Sequence, residues 1–218
     1  MERQYIAVEG VIGVGKTSLA KFLAERLGGR LVLEEVEENP FLSSFYEDRE
    51  RFAFPAQVFF LLSRYRQQQQ LARLDLFERT MVSDYVFEKD RIFASINLNE
   101  HEWALYERLA ELFDARMVHP DLVVYLQAST ETLMARIAQR GRVYERDMDV
   151  AYIRALNEAY NRFFFHYTAS SLLVVNTSGM DFEHREEDLE DLLEQVRTPF
   201  KGTRYYVPMA SLHHGSHG

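Results

Sequence analysis

The chain has 218 residues, 47% apolar and 27% charged, which suits one globular domain with a sizeable core. Its formal net charge of −9 argues against extended contact with a nucleic-acid backbone, which requires a basic face. No stretch approaches the ~20 apolar residues that span a bilayer. The absence of cysteine excludes disulfides and thiolate metal sites and fits a reducing cytoplasm.

Met1-Glu2-Arg3-Gln4 leads almost at once into a β-prone run from Tyr5 to Glu9, leaving no room for a signal peptide. Gly10-Val11-Ile12-Gly13-Val14-Gly15-Lys16-Thr17 then fits G-x-x-x-x-G-K-[ST] without a mismatch. Such a loop turns consecutive backbone N–H groups onto the phosphates of a nucleotide. Lys16 adds a point charge for the β/γ-phosphates, and the Thr17 hydroxyl can ligate Mg²⁺. Ser18 to Leu27 carries apolar residues at helical spacing, and Gly28-Gly29 stops it. Strand, glycine loop and helix therefore follow in the order that the motif requires.

A second β-prone run, Leu31 to Leu33, ends at Glu34-Glu35. A carboxylate there, on the loop's side of a sheet, has the chemistry of a general base, while the run Glu34-Glu35-Val36-Glu37-Glu38 reads equally well as a solvated acidic turn. From Phe52 to Arg66 a broad apolar face predicts a helix with Pro55 in its first turn. Gln57 and Arg64 lie seven residues apart on one face of it, an amide and a guanidinium suited to a base edge or to solvent. Gln67 to Gln70 continues it as a polar tract. Thr80 to Asp84 is an apolar strand closing on an acid, the usual source of a second Mg²⁺ contact in phosphate-loop enzymes. Asp90-Arg91 opens a further helix.

Leu122 to Gln127 is the fourth strand. Between Arg136 and Arg146 fall Arg136, Arg140, Arg142 and Arg146, with Arg136 and Arg140 on one helical face and Gly141 freeing the chain to turn. Arginine forks suit phosphate oxygens, and a mobile arginine-bearing segment can close over a transferring group; a solvated charged helix end is the simpler alternative. Ser171 to Val175 is the fifth strand. After Arg197 the pattern decays into a tail with His213, His214 and His217, read as a mobile terminus. Five strands separated by helices imply an α/β domain with a parallel sheet and helices on both faces, its ligands beyond the carboxyl ends of the strands.

Together these pieces resemble the deoxyribonucleoside kinases, particularly their bacterial purine branch, from about Tyr5 to about Val196. The resemblance implies a P-loop kinase fold with a five-stranded parallel sheet, a domain over residues 1–197 with an arginine-rich lid at about 136–149, and a tail over 198–218. It implies ATP as phosphate donor, with Mg²⁺ on Thr17 and Asp84. Gly10 to Ser18, Arg136 and Arg140 would hold the donor, and Lys16, Arg140 and Arg142 would stabilise the transferring group. Glu34 stands where the family's base precedes Pro-Val, and Asn39-Pro40-Phe41-Leu42 gives the same alignment. Glu35 replaces the usual Pro and remains a fallback. Tyr46 and Glu145 match the pair that holds a sugar 3′-hydroxyl; Gln57, Arg64 and Asp90 match the base readers. Relatives commonly follow the third-strand acid with Arg, where this chain has Tyr85, expected at the substrate either as a hydrogen-bond donor or packed against the sugar.

The implied reaction is phosphorylation of a deoxynucleoside 5′-hydroxyl in nucleotide salvage. Asn39-Pro40-Phe41-Leu42 and the small Ala56 tip the base towards a purine, with a pyrimidine as the alternative. The partners implied are small molecules and a second copy of the chain, through the Phe52–Tyr65 or Tyr152–Tyr167 stretch. A nucleoside-monophosphate kinase such as thymidylate kinase shares the loop and lid, but its acceptor needs a cation for its own phosphate rather than a carboxylate. A non-catalytic nucleotide switch leaves the acceptor residues unexplained, and no N-K-x-D string occurs.

Overall fold

A computed structural model describes residues 4–71, 80–114, 117–180 and 186–208. Strand β1 (Gln4–Gly10) is central because its Ile6-Ala7-Val8 run is buried on both faces. It pairs in parallel with β3 (Thr80–Ser83) on one side and β4 (Leu122–Gln127) on the other. Outward from these lie β2 (Arg30–Val32) beside β3, β5 (Ser171–Asn176) beside β4, and β6 (Thr203–Tyr206) at the edge. All pairings are parallel, as strands joined through helices require.

The sixth strand corrects the expectation of five. Thr203 to Tyr206 lies in what the sequence presents as a decaying tail: four residues give too short a run for a two-residue alternation to stand out. Gly202, at φ +77°, turns the chain into it. His213, His214 and His217 lie outside the described residues.

Helices flank the sheet. Helix α1 (Lys16–Leu27) packs on β1 and β3 and meets α8 (Glu186–Arg197). The short α2 (Leu42–Glu47) leads into α3 (Arg49–Leu71), which packs against α4 (Lys89–Asn97) and α5 (Glu100–Asp114). After β4, α6 (Thr130–Arg140) packs on α7 (Val150–Phe165), and α7 also lies against α4. Ser129 caps α6 by accepting from Thr132 N, and Gly141 ends it in the left-handed region. Helix α3 starts earlier than expected, so Pro55 stands inside it rather than in its first turn. The Tyr152–Tyr167 stretch is largely core, with Tyr152, Ile153, Leu156, Tyr160 and Phe164 buried. Among the described residues no helix is long and apolar enough to cross a membrane.

Candidate active site

The carboxyl ends of β1, β2 and β3 open on a cavity of about 400 Å³, lined by the glycine loop, the segment after β2, α3, the start of α4 and the turn after α6. On the β1 side the backbone builds the site. Gly13 has φ +83°, and a Cβ there would lie 2.8 Å from Ile137 Cγ1 and 2.9 Å from the Leu133 carbonyl, so only glycine fits. Gly15, left-handed at φ +103°, starts α1, and Lys16, Thr17 and Ser18 form its first turn. The Lys16 ammonium donates to the carbonyls of Gly10 (2.7 Å) and Val11 (3.2 Å). Desolvation, reinforced by the charge of nearby Lys89, pulls the Lys16 pKa down to about 8.

Thr17 Oγ1 donates to Asp84 Oδ2 at 2.6 Å, and the backbone N–H of Glu34 donates to Asp84 Oδ1 at 2.8 Å. Asp84 thus ties the loop, β3 and the end of β2 together. A hydroxyl and a carboxylate oxygen this close beside a phosphate loop fit Mg²⁺, which takes few protein ligands and keeps phosphate and water for the rest.

The acceptor side is built from side chains. The Glu34 carboxylate, only 8% exposed, is gripped by two cations: Arg64 of α3 on Oε1 and Lys89 of α4 on Oε2. Burial alone would raise its pKa, but Lys89 and Arg64 outweigh burial and hold it at about 2. Arg64 also pairs with Asp90, whose second oxygen Oδ2 is buried without a hydrogen bond among the described residues. Glu35, by contrast, is exposed and accepts from Ser63 Oγ at 3.0 Å. Gln57, buried on α3, lines the cavity with Phe60 and Phe93, and its amide makes no hydrogen bond with another described residue.

Tyr46 stacks on Tyr144 (centroids 5.8 Å apart, 14° between planes). Beside them Glu145 is buried and receives Arg140 Nη2 at 2.6 Å on both oxygens, with Arg142 at 3.9 Å and also 3.7 Å from Glu37. Gly141 therefore does bring the arginine segment over the cavity.

Four placements differ in kind from the sequence pattern. Arg136 shares no cavity wall with Arg140; its guanidinium donates to the carbonyls of Val14 (3.3 Å), Thr177 (2.7 Å) and Met180 (2.8 Å). Tyr85 is fully buried outside the cavity lining, its hydroxyl has no hydrogen-bond partner among the described residues, and burial pushes its pKa up. Lys89 and Glu9 were not singled out by sequence at all. Glu9 is buried at the end of β1, accepting from Gly10 N (2.8 Å), Val86 N (2.9 Å) and Tyr160 Oη (3.2 Å), so it fixes the root of the loop against α7 and the lead-in to α4. Burial pushes its carboxyl pKa up against the pull of Lys89 and Lys16.

The deoxynucleoside kinase family model matches residues 6–200. The chain is 31% identical to deoxyguanosine kinase of Bacillus subtilis over 198 residues, covering 88% of this chain and 96% of the relative. It is 32% identical to deoxyadenosine/deoxycytidine kinase of the same organism over 201 residues, covering 88% and 90%. Deoxyadenosine kinase from M. mycoides with bound dATP superposes with a TM-score of 0.75 at 25% identity, over 90% of this chain and 100% of that one. A phosphate loop facing a buried carboxylate, in this sheet order and with these relatives, has one reading: the chain belongs to the deoxynucleoside kinase family.

Proposed function

We propose that this kinase transfers the γ-phosphoryl group of ATP to the 5′-hydroxyl of a purine deoxynucleoside, with Glu34 as the base. The observation that carries this reading is one cavity shared by Lys16 and Thr17 on one wall and the buried Glu34 carboxylate on another. The loop amides, Lys16 and Ser18 hold the donor phosphates, with Arg140 turning to them from the lid. Thr17 and Asp84 would hold Mg²⁺, which would neutralise charge on the donor phosphates.

Glu34 accepts the 5′-hydroxyl hydrogen bond and then its proton. A carboxylate with so low a pKa is a weak base, yet phosphoryl transfer through a loose transition state needs the attacking oxygen aimed more than ionised. Glu35, exposed and engaged by Ser63, has no comparable setting. Tyr46 and Glu145 hold the 3′-hydroxyl, and Arg140 and Arg142 leave Glu145 for the transferring group. Gln57 and the free oxygen of Asp90, which Arg64 orients, read the base. Small Ala56 beside Gln57 leaves width for a purine, and the named relatives include deoxyguanosine and deoxyadenosine kinases.

The exposed apolar side chains Leu62 of α3 and Leu105 and Leu112 of α5 support a homodimer through these helices, and salvage in the cytoplasm accords with the cysteine-free sequence. Steady-state rates with ATP for the four deoxynucleosides and their monophosphates test the reading: purine deoxynucleosides turn over fastest and monophosphates not at all. Glu34→Gln keeps deoxynucleoside affinity and lowers turnover by ~10²–10⁴; near-normal turnover would remove Glu34 from the role of base.

A further inference from the structure

Lys89 stands in an expensive place. It opens α4, where the helix dipole disfavours a cation, and it is only 6% exposed. As a counter-ion it balances a buried cluster in which Arg64 is shared between Glu34 and Asp90, but that role uses only one side of the ammonium. An ammonium has three donors. One goes to Glu34 Oε2, and among the described residues the other two have no protein acceptor; the aromatic ring of Phe93 lies 5.5 Å from Nζ. The side chain lines the same cavity as Lys16, close enough for the two charges to disfavour each other. Two lysines thus face one space, Lys16 from the donor wall and Lys89 from the acceptor wall. An anion lying between them would favour both charges, adding to what Glu9, Glu34 and Asp84 already give Lys16.

We infer that Lys89 is a catalytic residue of the transfer: it caps Glu34 while the site is empty and turns onto the oxygens of the transferring phosphoryl group when both substrates are bound. The inference rests on the phosphoryl-transfer reading above. Its flexible four-carbon stem suits the exchange, since a short swing of the ammonium keeps Glu34 within reach while Arg64 continues to hold the other oxygen. In the step itself the 5′-oxygen forms a bond to the γ-phosphorus as the bond to the β,γ-bridging oxygen breaks, and ADP leaves. The hydroxyl proton passes to Glu34. Lys89 gives up no proton; it donates hydrogen bonds to phosphoryl oxygens as their charge shifts, and it frees Glu34 Oε2 for the hydroxyl as it moves.

The test uses Lys89→Met, Lys89→Arg, Glu34→Gln and the double variant Glu34→Gln/Lys89→Met, which removes both charges of the pair and leaves neither buried alone. With deoxyadenosine or deoxyguanosine and MgATP, Lys89→Met should lower kcat by ~10²–10³ while changing the nucleoside KM by less than about threefold, and Lys89→Arg should recover most of the loss. Calorimetry with the deoxynucleoside 5′-monophosphate should show affinity weakened at least ~10-fold in Lys89→Met, with deoxynucleoside affinity nearly unchanged. The double variant should turn over at least ~10-fold more slowly than Glu34→Gln. A double variant as fast as Glu34→Gln, or a Lys89→Met that binds the monophosphate as tightly as wild type, would reduce Lys89 to a counter-ion and overturn the inference. Normal turnover in Glu34→Gln would instead sink Glu34 as base, and the single Lys89 variants would still decide the role of Lys89.

Discussion

The two walls of the cavity are made differently. The donor wall is one contiguous stretch, Gly10 to Ser18, whose chemistry lies in backbone amides and a helix start. The acceptor wall is assembled from the end of β2, the middle of α3 and the first turn of α4, residues 34, 64, 89 and 90, joined by buried ion pairs. A backbone cradle is specified locally and tolerates changes elsewhere. An ionic cluster is specified by the whole fold, and each member depends on the others because an unpaired buried charge is costly.

Breaking the acceptor wall at its hub should have the largest effect. Arg64→Met strands Asp90 and leaves Glu34 with Lys89 alone, and should cost ~3–5 kcal/mol in urea unfolding along with most of the activity. A loss below 1 kcal/mol would mean that the cluster is not the stability element its geometry makes it. On the donor wall the expected signal is a proton rather than a collapse. Among its protein neighbours alone the pKa of Lys16 is about 8, below the ordinary 10.5, and donor phosphates favour its charged form. MgATP binding should therefore take up close to one proton near pH 9 and almost none near pH 6. Calorimetry in two buffers of different ionisation enthalpy measures it, and uptake that does not rise with pH would refute the assignment. Smallest of all should be Tyr85→Phe. Its hydroxyl is buried without a partner, so removal should change stability by less than about 1 kcal/mol and leave kcat unaltered; a tenfold fall in kcat would bring Tyr85 into the site after all.

The same contrast explains what the sequence makes legible. The glycine loop is readable because its residues are neighbours in the chain. Strands β1, β4 and β5 are readable because their apolar runs are long enough to stand out, and the shorter β3 because it closes on Asp84. Glu34 and Asp84 emerge as acids at strand ends, Gln57, Arg64 and Asp90 take their roles from resemblance, and the fold brings all of them to one cavity. Lys89 does not emerge, because Glu88-Lys89-Asp90-Arg91 looks like any solvated helix start. The available signal was a cation in a first turn, where charge complementarity favours acids. Glu9 had a signal too: an acid closing an apolar run, in alternation with Tyr5 and Ala7. The partners of Arg136 had none, since Thr177 lies 41 residues further along the chain.

That last contact has a mechanical consequence. Arg136 rivets the middle of α6 to the glycine loop through Val14 and to the turn after β5 through Thr177 and Met180. The helix is therefore a fixed post, and bending concentrates at Gly141, the left-handed residue just past its end. Insertions or deletions beyond Gly141 can lengthen or shorten the cover over the cavity while the phosphate cradle stays in register, so one donor wall can serve covers of many sizes.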